Sequence, residues 1–150
     1  MSRLALAACL TLLAPGPAAA DHPPTFAILT IDADWLKILL DKGGSLVVVD
    51  MRPPAAFEAG HVPGARSISL DDPVERLGEL PKDRLIVLYC DCPMEEISPA
   101  FQTLRFFGFP HVLVLHGGLA AWVERGYPVT RGAAASGAPA PASAAPASRP

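Results

Sequence analysis

The chain has 150 residues, enough for one domain, with a formal net charge of −3 and three cysteines. An acidic balance with no basic patch leaves a nucleic-acid partner without electrostatic support. Three cysteines are too few for a disulfide framework, no spacing suits a four-ligand zinc site, and the only long apolar run is N-terminal, which excludes a polytopic membrane protein with stable spans.

Residues 1–20 read as an export signal. Arg3 is the basic flank, Leu4 to Ala14 the apolar stretch, and Ala18-Ala19-Ala20 before Asp21 the small-residue cleavage site. The apolar stretch is well short of the ~20 residues a bilayer span needs. Leu6-Ala7-Ala8-Cys9 resembles a bacterial lipid-attachment box, a competing expectation that would strand Leu10 to Leu13 outside a very short export segment. Cleavage after Ala20 removes Cys9, leaves Cys90 and Cys92, and directs the mature protein to an oxidising compartment, the bacterial periplasm.

The folded domain is expected over residues 21–130. Asp32 is a good N-cap for a helix over Ala33 to Lys42, with Trp35, Leu36, Leu39 and Leu40 as its apolar face and Gly43-Gly44 as its stop. Leu46 to Val49 is an unbroken apolar run that suits a strand buried on both faces, and Leu85 to Tyr89 and Val112 to Leu115 are two more. Ile68 and Leu70 suggest a shorter strand. Ser98 to Phe107 predicts a helix with Ser98 as cap, Pro99 at its first position and Gly108 at its close. Gly117 to Arg125 predicts a last helix, ended by Gly126 and Pro128; Trp122 and Phe107 are expected in the core, whereas His22 and His111 carry no signal. From Arg131 onward the chain is almost entirely Ala, Pro, Ser and Gly, so 131–150 is expected to be a disordered tail.

Strands separated by helices imply a parallel sheet covered on both faces, with chemistry where strands end and helices begin. Two strand ends carry reactive residues: Asp50-Met51-Arg52, and Cys90-Asp91-Cys92-Pro93-Met94-Glu95-Glu96-Ile97. A thiol between a strand end and a helix N-terminus lies among outward-facing N–H groups, which favour the nucleophilic thiolate. The alternative is a small core residue, a common use of cysteine.

Asp50-Met51-Arg52, Phe57, Gly60-His61-Val62-Pro63-Gly64-Ala65, Tyr89-Cys90, Gly108-Phe109, Gly117-Gly118, Ala121-Trp122, Gly126 and Pro128-Val129 together resemble the rhodanese-like domain family, over about Asp32 to Val129. Cys90 to Glu95 fits a Cys-x-Cys-Pro-x-Glu loop variant of that family. The resemblance implies a single α/β domain with a five-stranded parallel sheet and helices on both faces. It also implies that Cys90 takes a sulfane sulfur from thiosulfate or a persulfide and passes it to a nucleophilic acceptor. The Cys90 persulfide would lie in a cradle of N–H groups from Asp91, Cys92, Met94, Glu95, Glu96 and Ile97, to which Pro93 contributes no donor. The implied partners are a small sulfur donor and a thiol or protein acceptor; no cofactor and no resident metal is implied.

The loop departs from the usual family pattern in two ways. Pro93 stands where a glycine is expected, and Glu95-Glu96 where a positive charge is expected. Two carboxylates near a thiol raise its pKa and repel an anion such as thiosulfate, which turns the expectation toward a thiol or protein persulfide donor. The missing arginine also weakens a phosphatase or arsenate-reductase reading. Cys92 has four readings: a resolving thiol for a Cys90 persulfide or sulfenate, one half of an easily reduced disulfide, a ligand for a soft metal such as Cu(I), or a loop residue with no task. Arg52 either pins neighbouring loops through Asp50 or reaches the mouth of the pocket, which His116 is also expected to edge. His61, before Val62-Pro63-Gly64, is expected to hold a turn by a side-chain hydrogen bond. The competing function is a non-catalytic or redox interaction module that uses the Cys90/Cys92 dithiol.

Overall fold

The computed structural model describes residues 25–72 and 74–133. The expected leader, 1–20, with the alternative attachment site at Cys9, lies outside the described residues, as do His22 and residues 134–150 of the expected tail. Five strands, β1 (Thr30–Ile31), β2 (Leu46–Asp50), β3 (Arg66–Ser67), β4 (Leu85–Tyr89) and β5 (Val112–Leu115), form one parallel sheet in the order β1-β5-β4-β2-β3. Helices α1 (Ala33–Asp41), α2 (Pro54–Ala59) and α3 (Met94–Phe106) connect them, with a 3₁₀ turn at Val74–Glu79 between β3 and β4, and α4 (Gly118–Glu124) follows β5. No helix among the described residues is long and apolar enough to cross a membrane.

The unbroken apolar runs follow from burial on both faces. Side chains alternate across a strand, so Ile86 and Leu88 of β4 join Val47, Val49, Val112 and Val114 on one face, under Ile97, Phe101 and Leu104 of α3. Val87 and Tyr89 join Val48 and Leu115 on the other, under Leu36 of α1, Phe57 of α2 and Leu119 and Trp122 of α4. At full burial each large aliphatic contributes about 1.5–3 kcal/mol, so the two core layers, rather than any single contact, hold the sheet.

Several local expectations are corrected. The predicted strand at Ile68 and Leu70 lies earlier, at Arg66–Ser67, because the β2 ladder to which it pairs ends at Asp50. The third helix begins at Met94 rather than Ser98, so Pro99 falls inside it. Its buried stripe of Ile97, Ala100, Phe101 and Leu104 already includes Ile97, and Glu95 and Glu96 suit its positive end. Phe107 is exposed: Gly108, at φ +81°, reverses the chain, the Phe109 N–H donates to the Leu104 carbonyl, and Phe109 takes the core position instead. Trp35 is also exposed, and Leu36 with Ala33 forms the buried side of α1. Asp32 occupies the N-cap position of α1 without making a side-chain cap. The edge strand β1 was not read from the sequence; the run Phe26 to Ile31 was its available signal.

Candidate active site

β2, β4 and β5 are neighbours, so their carboxyl ends lie side by side. From β2 the chain runs outward to β3, whereas from β4 it runs the other way to β5. Where connections diverge from adjacent parallel strands they leave a crevice, the usual ligand position in open α/β sheets. The three strands deliver Met51-Arg52, Cys90-Asp91-Cys92 and Gly117-Gly118 to it.

Two clefts open there, of about 280 and 390 Å³, and Cys90, Asp91 and Cys92 line both. Met94, Ile97, Leu115 and Gly118 complete the smaller one. Met51, Arg52, Leu70, Asp71 and Glu96 are on the wall of the larger. The segment Cys90 to Cys92 is therefore the partition between two open spaces.

Cys90 extends the face of β4 that carries Ile86 and Leu88, which turns its side chain toward α3. It is 8 % exposed, and Cys92 is half-buried beside it. The two cysteines are joined by a disulfide, with Cα atoms 5.2 Å apart, and Cys90 Sγ lies 3.7 Å from the Cys92 carbonyl oxygen. The expected cradle is not built around this sulfur: among the described residues, no N–H of Asp91 to Ile97 donates to it. Only Asp91, Cys92 and Pro93 separate Cys90 from α3, Pro93 has no N–H, and the Glu96 N–H donates to the Pro93 carbonyl at 3.0 Å. Pro93, Met94, Glu95 and Glu96 are exposed, whereas Ile97 is buried beneath the site.

A buried polar network fixes the rest. Asp50, fully buried at the end of β2, accepts the Tyr89 hydroxyl at 2.6 Å and the Arg52 guanidinium through both oxygens. The guanidinium also donates to the Gly60 carbonyl at 2.6 Å and to Asp91 Oδ2 at 3.0 Å. Asp91 Oδ1 in turn accepts the Leu119 N–H at the start of α4, 3.0 Å away. Burial pulls the Arg52 pKa down, but the hydrogen bond and charge of Asp50, with Tyr89 and Asp91 behind them, outweigh it and leave it raised. Burial, followed by the hydrogen bond and charge of Asp50, pushes the Tyr89 phenol up. Arg52 thus both pins loops and lines the larger cleft, and the structure brings it together with Cys90, Asp91, Cys92 and Glu96.

His61 is held within its turn: Nδ1 pairs with the Phe57 carbonyl at 2.8 Å, and its ring stacks on Phe57. His116 is exposed and, although Leu115 and Gly117 line the smaller cleft, its own side chain is not on that wall. Glu95 lines neither cleft. Among the described residues there is no group of three or more His, Cys, Asp or Glu placed to hold a metal. Sequence reasoning missed two positioning groups. The Tyr89 hydroxyl reaches Asp50 only through the Asp50–Tyr89 strand register. A Cβ on Gly118, at φ +56°, would collide with the Cys90 carbonyl oxygen and come within 2.9 Å of Asp91 Oδ1, and the Gly117-Gly118 pair was the signal for this close approach.

The rhodanese-like domain family model matches residues 32–125, and the chain belongs to that family. It is 33 % identical over 99 residues to a sulfurtransferase of Allochromatium vinosum, a match covering 66 % of this chain and 92 % of that protein. It is 35 % identical over 101 residues to the probable adenylyltransferase/sulfurtransferase MoeZ of Mycobacterium tuberculosis, covering 66 % of this chain but only 26 % of that longer protein. The solution structure of the rhodanese-like domain of the Anabaena Alr3790 protein superimposes with a TM-score of 0.61 at 35 % identity, covering 81 % of this chain and 92 % of that one. The names of both relatives support rhodanese-like sulfur transfer at the level of the family.

Proposed function

We propose that this protein is an exported sulfurtransferase that carries a sulfane sulfur as a persulfide on Cys90. The observation that carries the reading is the placement of Cys90 at the carboxyl end of β4, on the wall shared by both clefts of a rhodanese-like domain. The disulfide must first be reduced. The Cys90 thiolate, favoured by the positive end of α3, then attacks the outer sulfur of a donor persulfide and expels the donor thiolate. An acceptor thiol reverses the step, taking that sulfur and releasing the Cys90 thiolate.

The donor is a thiol or protein persulfide rather than thiosulfate. Arg52 is the cation on the walls of the two clefts among the described residues, and Asp50 and Asp91 already engage it, while Asp71 and Glu96 add negative charge. Each of these exposed carboxylates is worth about 0.5 kcal/mol against an approaching charge, and both act against a dianion. Export rests on the residue 1–20 pattern and places residues 21–130 in the bacterial periplasm, where a dithiol oxidises readily.

The test is intact mass of the reduced chain after exposure to a small persulfide. With Cys92→Ser in place to hold the loaded state, Cys90 should gain about 32 Da, and the Cys90→Ser/Cys92→Ser chain should gain nothing; equal behaviour of the two would remove the proposal. The disulfide favours a second reading, a redox module that cycles between dithiol and disulfide. A measured potential below about −300 mV, the range of structural bonds, would exclude that cycling.

A further inference from the structure

We propose that Cys92 resolves the Cys90 persulfide, so that the domain reduces sulfane sulfur to hydrosulfide; this rests on Cys90 being the sulfur carrier. The two sulfurs are already bonded to each other in the structure, across a Cα separation of 5.2 Å that suits a disulfide. The loop between them is held in that arrangement. Asp91 is fixed by the Arg52 guanidinium on one side and the Leu119 N–H on the other, and Gly118 lets α4 press against the Cys90 carbonyl. A thiol held this close to the carrier sulfur needs no encounter, whereas an external acceptor must first diffuse into one of the clefts.

The chemistry balances. The Cys92 thiolate attacks Cys90 Sγ, the bond between Sγ and the outer sulfur breaks, and the outer sulfur leaves with that electron pair as hydrosulfide, keeping the persulfide proton. Two cysteines are oxidised to the disulfide and the sulfane sulfur is reduced. An external dithiol then attacks half-buried Cys92 from either cleft, returns both cysteines to thiols and leaves as its own disulfide. Sulfur enters as a persulfide and departs as hydrosulfide, with the electrons supplied by the dithiol.

The full chain, reduced and freed of reductant without air, is exposed to cysteine persulfide, desalted, and followed by hydrosulfide assay and intact mass. The wild type should release about one hydrosulfide per chain and end about 2 Da below its reduced mass. Cys92→Ser should retain the added ~32 Da and release at least tenfold less. Cys92→Ala provides the same comparison if the serine variant does not fold. A wild type that keeps the added sulfur, with Cys92 still open to alkylation, overturns resolution by Cys92 and leaves sulfur carriage intact. Release that persists unchanged in Cys92→Ser also overturns it. If neither protein takes up sulfur at all, carriage by Cys90 itself has failed.

Discussion

Arg52 shows how a charged residue can stand beside a reactive sulfur and lend it little field. Its guanidinium meets Asp50, Asp91 and the Gly60 carbonyl, so its charge is directed into the loop scaffold. Buried pairs of this kind fix geometry more dependably than they add stability, because desolvation offsets most of the attraction. The carboxylates on the larger cleft that stand outside this network are those of Asp71 and Glu96, both exposed. Glu96→Gln should therefore speed loading from thiosulfate about twofold at low ionic strength, as suits an exposed charge worth ~0.5 kcal/mol, and the gain should vanish at high salt. Initial rates of sulfur uptake at two ionic strengths check this. Loading from an uncharged persulfide ester should not change.

At the scale of elements, the central strands were legible because burial on both faces leaves a mark that needs no partner to be recognised. Leu85–Tyr89 and Val112–Leu115 are unbroken apolar runs with the bounds the sequence suggests. The start of α3 was not legible. Pro99 after Ser98 resembles a helix start, yet the helix opens at Met94, and its register comes from packing Ile97, Phe101 and Leu104 under the sheet. Pro99 is exposed and removes the hydrogen bond to the Glu95 carbonyl that another residue would make. Pro99→Ala should stabilise the domain by roughly 2 kcal/mol, the helix gain less the added entropy of the unfolded chain. A higher urea midpoint at unchanged slope is the expected result.

For the molecule as a whole, the network of Asp50, Arg52 and Tyr89 ties two sheet strands to the loop that bears the cysteines. It also sets an alkaline limit. Burial and Asp50 raise the Tyr89 phenol above its ordinary value of 10.0, so the folded chain holds that proton where the unfolded chain releases it. The contribution is complete below about pH 10 and declines as pH rises beyond it. Tyr89→Phe should lose about 1 kcal/mol at neutral pH through the missing hydrogen bond, and the gap to wild type should narrow above pH 10 in urea titrations.

The sequence alone was sufficient for the α/β class, the three central strands and the position of Cys90 after β4, since these follow from local periodicity and from a motif pattern spread along the chain. Tertiary structure alone decided that Cys90 is bonded to Cys92 rather than ringed by N–H groups, that Arg52 is engaged by Asp50 and Asp91, and that Phe109 displaces Phe107 from the core. The reason is physical. Side-chain direction and charge pairing depend on which strand ends become neighbours, and that is set by the spatial order of the strands in the sheet.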